Sequence, residues 1–334
     1  MQKSIPKRKA PLQKVPEVRG CLLSLGGLSR GAVSLLMILL TVILATRYPK
    51  EISHSVSVGI NLCKNVIVPS VFPYMVIADL IVSFVDFRQF RLLSFTFERI
   101  FAQRREALSA FILGILCGFP LGVIRACELY KRGVISKDEA ERLIGFSNNA
   151  GLAFVVSGIG LGLLGDAMLG VILYLTSILS SILVGALFAK RKFENKEDIK
   201  ATQAYTEPIR YSLTESIKRA GLNTIGVCSF IIIFSALCGL IRSLSLPSYL
   251  YLLLVSLLEV GSATSIISKA TYLKEPIKLA YLAFATASSG ISVHLQARSH
   301  LTDLGISQRL YIPMKLLEGI LCAILFPLAV YVFY

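Results

Sequence analysis

Two adjacent amides, Asn148 and Asn149, interrupt one apolar stretch between Ser147 and Gly151, and a small polar run, Ser288-Ser289-Gly290 with Ser292, interrupts another near the C-terminus. Such groups can hydrogen-bond a carboxylate or the edge of a base. Equally, Asn at a turn satisfies the backbone groups that a broken helix frees, and small residues let helices pack closely. His294 and Gln296 follow the second run, and a helix beginning near Gly290 would point its partly positive N-terminus at an anion. Arg125 lies just past the interruption Cys117-Gly118-Phe119-Pro120. Its planar fork grips a carboxylate bidentately, although so long a stem can also snorkel to a polar boundary. Two acids stand in apolar surroundings, Asp79 in VIADLIVSF and Glu259 in LLEVGSATS. A carboxylate left unpaired in hydrocarbon costs at least ~2.5–3.5 kcal/mol on insertion scales. Glu259 therefore reads as a coupling-proton or sodium ligand, or as the salt-bridge partner of Arg125, and Asp79 as structurally paired. The binding candidates are Asn148, Asn149, Arg125, Ser262, Ser288, Ser289, Ser292, His294 and Gln296, with Gly118, Phe119, Pro120, Gly151, Gly261 and Gly290 shaping the turns.

What must hold these residues is set by composition. The 334 residues are 54% hydrophobic and only 16% charged, with a mean hydropathy of +0.69. Soluble chains carry about a quarter charged residues, so a polytopic all-α membrane protein is expected. The net charge of +15 does not indicate nucleic acid, because Lys and Arg gather in loops beside apolar spans, the bias of cytoplasmic loops. Seven cysteines show no CxxC and no histidine-paired spacing, so neither disulfide nor metal is expected, and no cofactor. HExxH and P-loop motifs and paired catalytic carboxylates are absent, which argues against the enzyme classes that use them.

The order along the chain is a basic cytoplasmic arm (1–30), an N-terminal transmembrane helix (31–50), a first repeat (51–190), a cytoplasmic linker (191–211) and a second, inverted repeat (212–334). The first repeat opens with 53–85, which Pro69 and Pro73 are expected to break. Residues 107–126 read as a re-entrant hairpin with its tip at Gly118-Phe119-Pro120. A single crossing would instead carry Lys131, Arg132, Lys137 and Arg142 outside, against the charge bias. Ser136 then caps a helix with Glu139 as its capping-box partner; the helix unwinds at 148–151 and resumes to Leu164, and 167–189 returns. The second half repeats the plan: a span at 222–241, a stretch 250–267 broken at 259–264, a stretch 277–295 broken at 288–290, and a closing span 311–332. That makes about seven spans and two hairpins. Paired interruptions in corresponding places point to the binding site of a secondary transporter.

Three segments, CGFPLG, ELYKRGVISKDEAERLIGFSNNAG and SSGISVHLQA, resemble in order the YlbJ-type sporulation integral membrane proteins. These belong to the nucleoside-recognition, or gate, superfamily related to concentrative nucleoside transporters. The resemblance covers about residue 53 to the end. It implies a spore-forming bacterium, residence in the mother-cell-derived membrane around the forespore, and transport of dipicolinate, a small pyridine dicarboxylate. The expected partners are that anion and the lipid bilayer, with self-association and the coupling ion left open. An ion-coupled nucleoside carrier and a non-transporting scaffold for the spore envelope are the alternatives.

Overall fold

In a computed structural model, the described residues are Val42, Ile43 and residues 46–85, 89–189 and 211–334. Residues from Tyr48 onward form one compact unit, and the chain up to Arg47 forms another. The expected basic arm, all but the last residues of the N-terminal helix, and the linker as far as residue 210 lie outside the described residues.

Helix α1 (Pro49–Leu62) passes through one wide turn, Cys63–Ile67, into α2 (Val68–Phe84). Here the expectation fails: Pro69 and Pro73 do not break the helix. Proline lacks an N–H, and its ring crowds the carbonyl four residues back. The wide turn just ahead of Pro69, with its i→i+5 pattern, relieves the ladder where it would clash. Helix α3 (Arg91–Phe101) sends Phe97 and Phe101 into an aromatic cluster in which Phe101 and Phe146 stack at 4.5 Å.

The first hairpin is formed by α4 (Leu108–Leu116) and α5 (Leu121–Lys131). Its turn places Gly118 at φ +87°, a conformation open to glycine and strained for other residues. Helix α6 (Lys137–Ser147) starts with the expected box: Ser136 Oγ accepts the Glu139 N–H and the Glu139 carboxylate accepts the Ser136 N–H. The helix ends at Asn148, as expected, and the chain resumes as a wide helix, Ala153–Leu164. Asp166 caps α7 (Ala167–Leu187) by accepting the N–H groups of Met168 and Leu169. A hydrogen bond from Tyr334, with those backbone bonds, holds the Asp166 carboxyl below its ordinary pKa.

The second half comprises α8 (Leu213–Arg242), α9 (Ser248–Leu258), α10 (Val260–Ser268), α11 (Glu275–Ser288), α12 (Gly290–Leu301) and α13 (Tyr311–Phe333). Its first interruption is narrower than the expected 259–264. Only Glu259 leaves the helix, and Gly261, Ser262 and Thr264 already belong to α10. Ser289 and Gly290 both lie in the left-handed region, at φ +70° and +71°, and break the chain between α11 and α12 as expected.

Among the described residues, four helices are long and apolar enough to cross a membrane: Pro49–Ile81, Ala167–Leu187, Leu213–Arg242 and Tyr311–Phe333. The described residues contain no strand. Leu161, Leu175, Leu187, Leu222 and Ile324 turn outward and exposed, as a lipid-facing surface requires. The protein is a helical membrane protein. Its largest core gathers Cys117 and Leu121, Ala150, Val260, and Ala287 with Val293, one contribution from beside each of the four interruptions.

Candidate functional site

The four interruptions meet in two tight pairs. A Cβ on Gly118 would lie 2.5 Å from the backbone nitrogen of Gly151, so the first hairpin tip presses on the Asn148–Gly151 break. A Cβ on Gly290 would lie 3.0 Å from the Leu258 carbonyl, so the Ser289 break presses on Glu259 in the same manner. The absence of a side chain is what permits each approach.

Both tips open onto one cleft. Cys117, Gly118 and Phe119 form one wall with Gly151, and Glu259, Val260 and Gly261 form another; α2, α8 and Val293 complete it. Its empty space is about 520 Å³, open water at the mouth included. The lining is apolar and aromatic, and Glu259 is the one charged side chain among the described residues that line it.

Glu259 does not pair with Arg125, which corrects one of the two expected readings. Its carboxylate turns back on its own chain and accepts the N–H groups of Gly261, at 2.8 Å, and Ser262. The start of α10 has unpaired donors and a partly positive end, so a carboxylate one residue ahead of it is drawn there. Arg125 instead bonds Glu128 at 3.1 Å and the Ser109 hydroxyl at 3.1 Å, on the elbow side of the hairpin. Asp79 is paired, as expected, with Arg219 at 3.1 Å.

The asparagines lie outside the cleft lining, buried against α13. Asn148 donates to the Tyr311 hydroxyl at 2.8 Å. Asn149 donates to the Phe146 carbonyl and the Ser181 hydroxyl, and its carbonyl oxygen accepts from Lys315 at 3.2 Å. The Asn149 amide is therefore fully engaged by the protein. Lys315 in turn pairs with Glu318 at 2.8 Å, and both side chains are 0% exposed. Sequence reasoning missed this pair because 311–332 reads as a plain closing span. The signal was Lys315-x-x-Glu318 itself, two charges one turn apart in hydrocarbon, where ionisable residues are functional candidates by default.

Of the remaining candidates, Ser288 and His294 meet the same helix. The His294 and Tyr311 rings meet edge to face at 5.1 Å, Ser288 packs on Gly319, and Ser292 accepts weakly from Gln296 at 3.4 Å. Ser289 bonds the Ala287 carbonyl at 3.4 Å, and Ser262 shares a 2.8 Å bond with Ser235 in α8. The buried atoms Asn148 Oδ1, Ser288 Oγ, His294 Nδ1 and Glu318 Oε1 have no hydrogen-bond partner among the described residues. Each such atom costs about 1–3 kcal/mol when unsatisfied. Among the described residues no group of three or more His, Cys, Asp or Glu could hold a metal ion.

Comparison with curated proteins finds the sporulation integral membrane protein YlbJ of Bacillus subtilis (strain 168), 24% identical over 319 residues. The match covers 83% of this chain and 77% of that protein. No protein-family model matches the chain, and no solved structure does.

Proposed function

This chain is a relative of the YlbJ-type sporulation integral membrane proteins, and from that premise we propose that it carries a small anionic metabolite, dipicolinate, from the mother cell towards the forespore across the outer forespore membrane. In this reading the two halves are an inverted repeat, and the permeant passes between their broken helices. The observation that supports it most is the meeting of both tips, Cys117–Phe119 and Glu259–Gly261, around one cleft. Non-helical backbone at membrane depth is tolerated where it lines a cavity. A dianion leaving a cytoplasm held ~100 mV negative gains about 4.6 kcal/mol, twice the ~2.3 kcal/mol per charge, so export needs no coupled ion. The test is uptake of labelled dipicolinate by proteoliposomes holding the full chain. Accumulation above empty vesicles is expected, and its absence overturns the reading.

A second reading, an ion-coupled nucleoside carrier, draws on the cleft itself. Phe119 and Phe154 offer faces for a base, and Glu259 could accept its N–H or O–H groups with no cationic side chain among the described residues that line the cleft. Substitution Glu259→Gln separates the two. Two like charges ~6 Å apart repel by roughly 3 kcal/mol at an effective dielectric of about 20. Removing the Glu259 charge should therefore improve dipicolinate uptake at low concentration about tenfold or more. A nucleoside carrier should instead lose uridine uptake with the same change.

A further inference from the structure

Where α2, α5 and α8 approach the elbow between α5 and α6, three donors from different parts of the chain close on one carboxylate. Arg125 reaches Glu128 Oε2 at 3.1 Å. Arg219, at 2.9 Å, and the hydroxyl of Tyr211, also at 2.9 Å, both donate to Glu128 Oε1. Two guanidinium groups and a phenol around both oxygens of one carboxylate form the donor set expected of a carboxylate receptor. The supports are firm: Ser109 holds Arg125 at 3.1 Å, Asp79 pairs with Arg219 at 3.1 Å, and the Arg219 guanidinium lies over the Tyr211 ring at 4.0 Å.

The site can be reached. A second cavity, about 240 Å³ with its open mouth included, is lined by Asp79, Arg125, Glu128 and Tyr211. Glu128 is 20% exposed and Arg219 33%, so the glutamate can swing aside. The position also suits a permeant on its way to the deeper cleft. Asp79 is nine residues along α2 from Ser70, and Arg219 is eight residues along α8 from Val227. At 1.5 Å per residue, each element carries the receptor about 12–14 Å along its length from the cleft.

We propose that Arg125, Arg219 and Tyr211 form a docking site for the carboxylate of the permeant at the elbow-side mouth, and that Glu128 is an internal stand-in which the permeant displaces. The proposal rests on the anion-carrier reading and adds the residues that first recognise the anion. Displacement unties α5 from α8, so docking and opening of this mouth are one event.

The test is a concentration series of dipicolinate uptake in proteoliposomes of the full chain, with melting temperature measured alongside. Glu128→Ala empties the receptor of its competitor and should lower KM at least threefold. Arg219→Gln should raise KM tenfold or more with a smaller change in kcat, and Tyr211→Phe, which alters neither shape nor charge, should raise it two- to fivefold. A merely structural network predicts the opposite sign for Glu128, since its loss would weaken the protein as the loss of Arg219 does. Glu128→Ala and Arg219→Gln shifting KM in the same direction overturns the proposal. So does an unchanged KM in Tyr211→Phe protein that melts as the wild type does, and this variant decides the matter should Arg219→Gln fail to fold. Wild-type uptake with unmoved KM values removes the docking site alone. A wild-type protein that carries no dipicolinate removes the carrier reading as well.

Discussion

Full-length protein carrying Lys315→Met will melt far below the wild type in detergent. Lys315 and Glu318 are 0% exposed and 2.8 Å apart, and Lys315 also holds the Asn149 carbonyl oxygen. Removing the cation leaves a carboxylate buried with no counter-charge, a situation that costs about 3–5 kcal/mol. The Glu318 oxygen that already lacks a partner then has a second one beside it. The double variant Lys315→Met/Glu318→Leu should recover most of the loss, because an apolar pair of similar volume is often as stable as the buried ion pair it replaces. A single variant that melts like the wild type would mean that Glu318 finds another partner or becomes neutral without penalty.

Gly114→Ala should do comparable harm by another route. A Cβ at Gly114 would lie 1.6 Å from the Ser147 carbonyl oxygen, and one at Gly122 would lie 2.0 Å from the same atom. The two arms of the first hairpin therefore clasp the last carbonyl of α6, immediately before the asparagines. The obstructing atom is backbone and cannot rotate away, so hairpin and break must separate. Overpacking costs about 1–3 kcal/mol, sometimes more, and the upper end is expected here, with at least a tenfold loss of dipicolinate uptake. Gly221→Ala is the control, since a Cβ there meets nothing within 4 Å and alanine is the better helix former. Equal uptake by the Gly114 and Gly221 variants would contradict the clasp.

Much of this architecture could be read from the chain because the interruptions announce themselves. Gly118 with Pro120, Asn148-Asn149 with Gly151, and Ser289-Gly290 are breakers set inside apolar runs, and each one breaks its helix. The Ser136 capping box was equally legible, because both of its partners are three residues apart. Three features were not. Prolines 69 and 73 looked like breaks, but a wide turn upstream absorbs them. The break at Glu259 looked six residues long, but the glutamate side chain caps the next helix at once and shortens it to one. Arg125 looked available to Glu259, whereas its partner is three residues ahead on the same helix and is shared with Arg219, 91 residues away from it. Charge partners across such distances depend on which helices touch, and the hydrophobic pattern does not encode that.

Native Cys117 lines the cleft beside Gly118 and Phe119, which makes it a reporter for the central claim that the permeant binds between the two tips. With the other six cysteines replaced by serine or alanine, the full chain is reconstituted and its alkylation by a small maleimide is timed with and without dipicolinate. Saturating dipicolinate should slow the reaction at least fivefold, with the half-effect at the KM for uptake. An alkylation rate that dipicolinate leaves unchanged, in protein that still carries dipicolinate, would place the permeation path elsewhere.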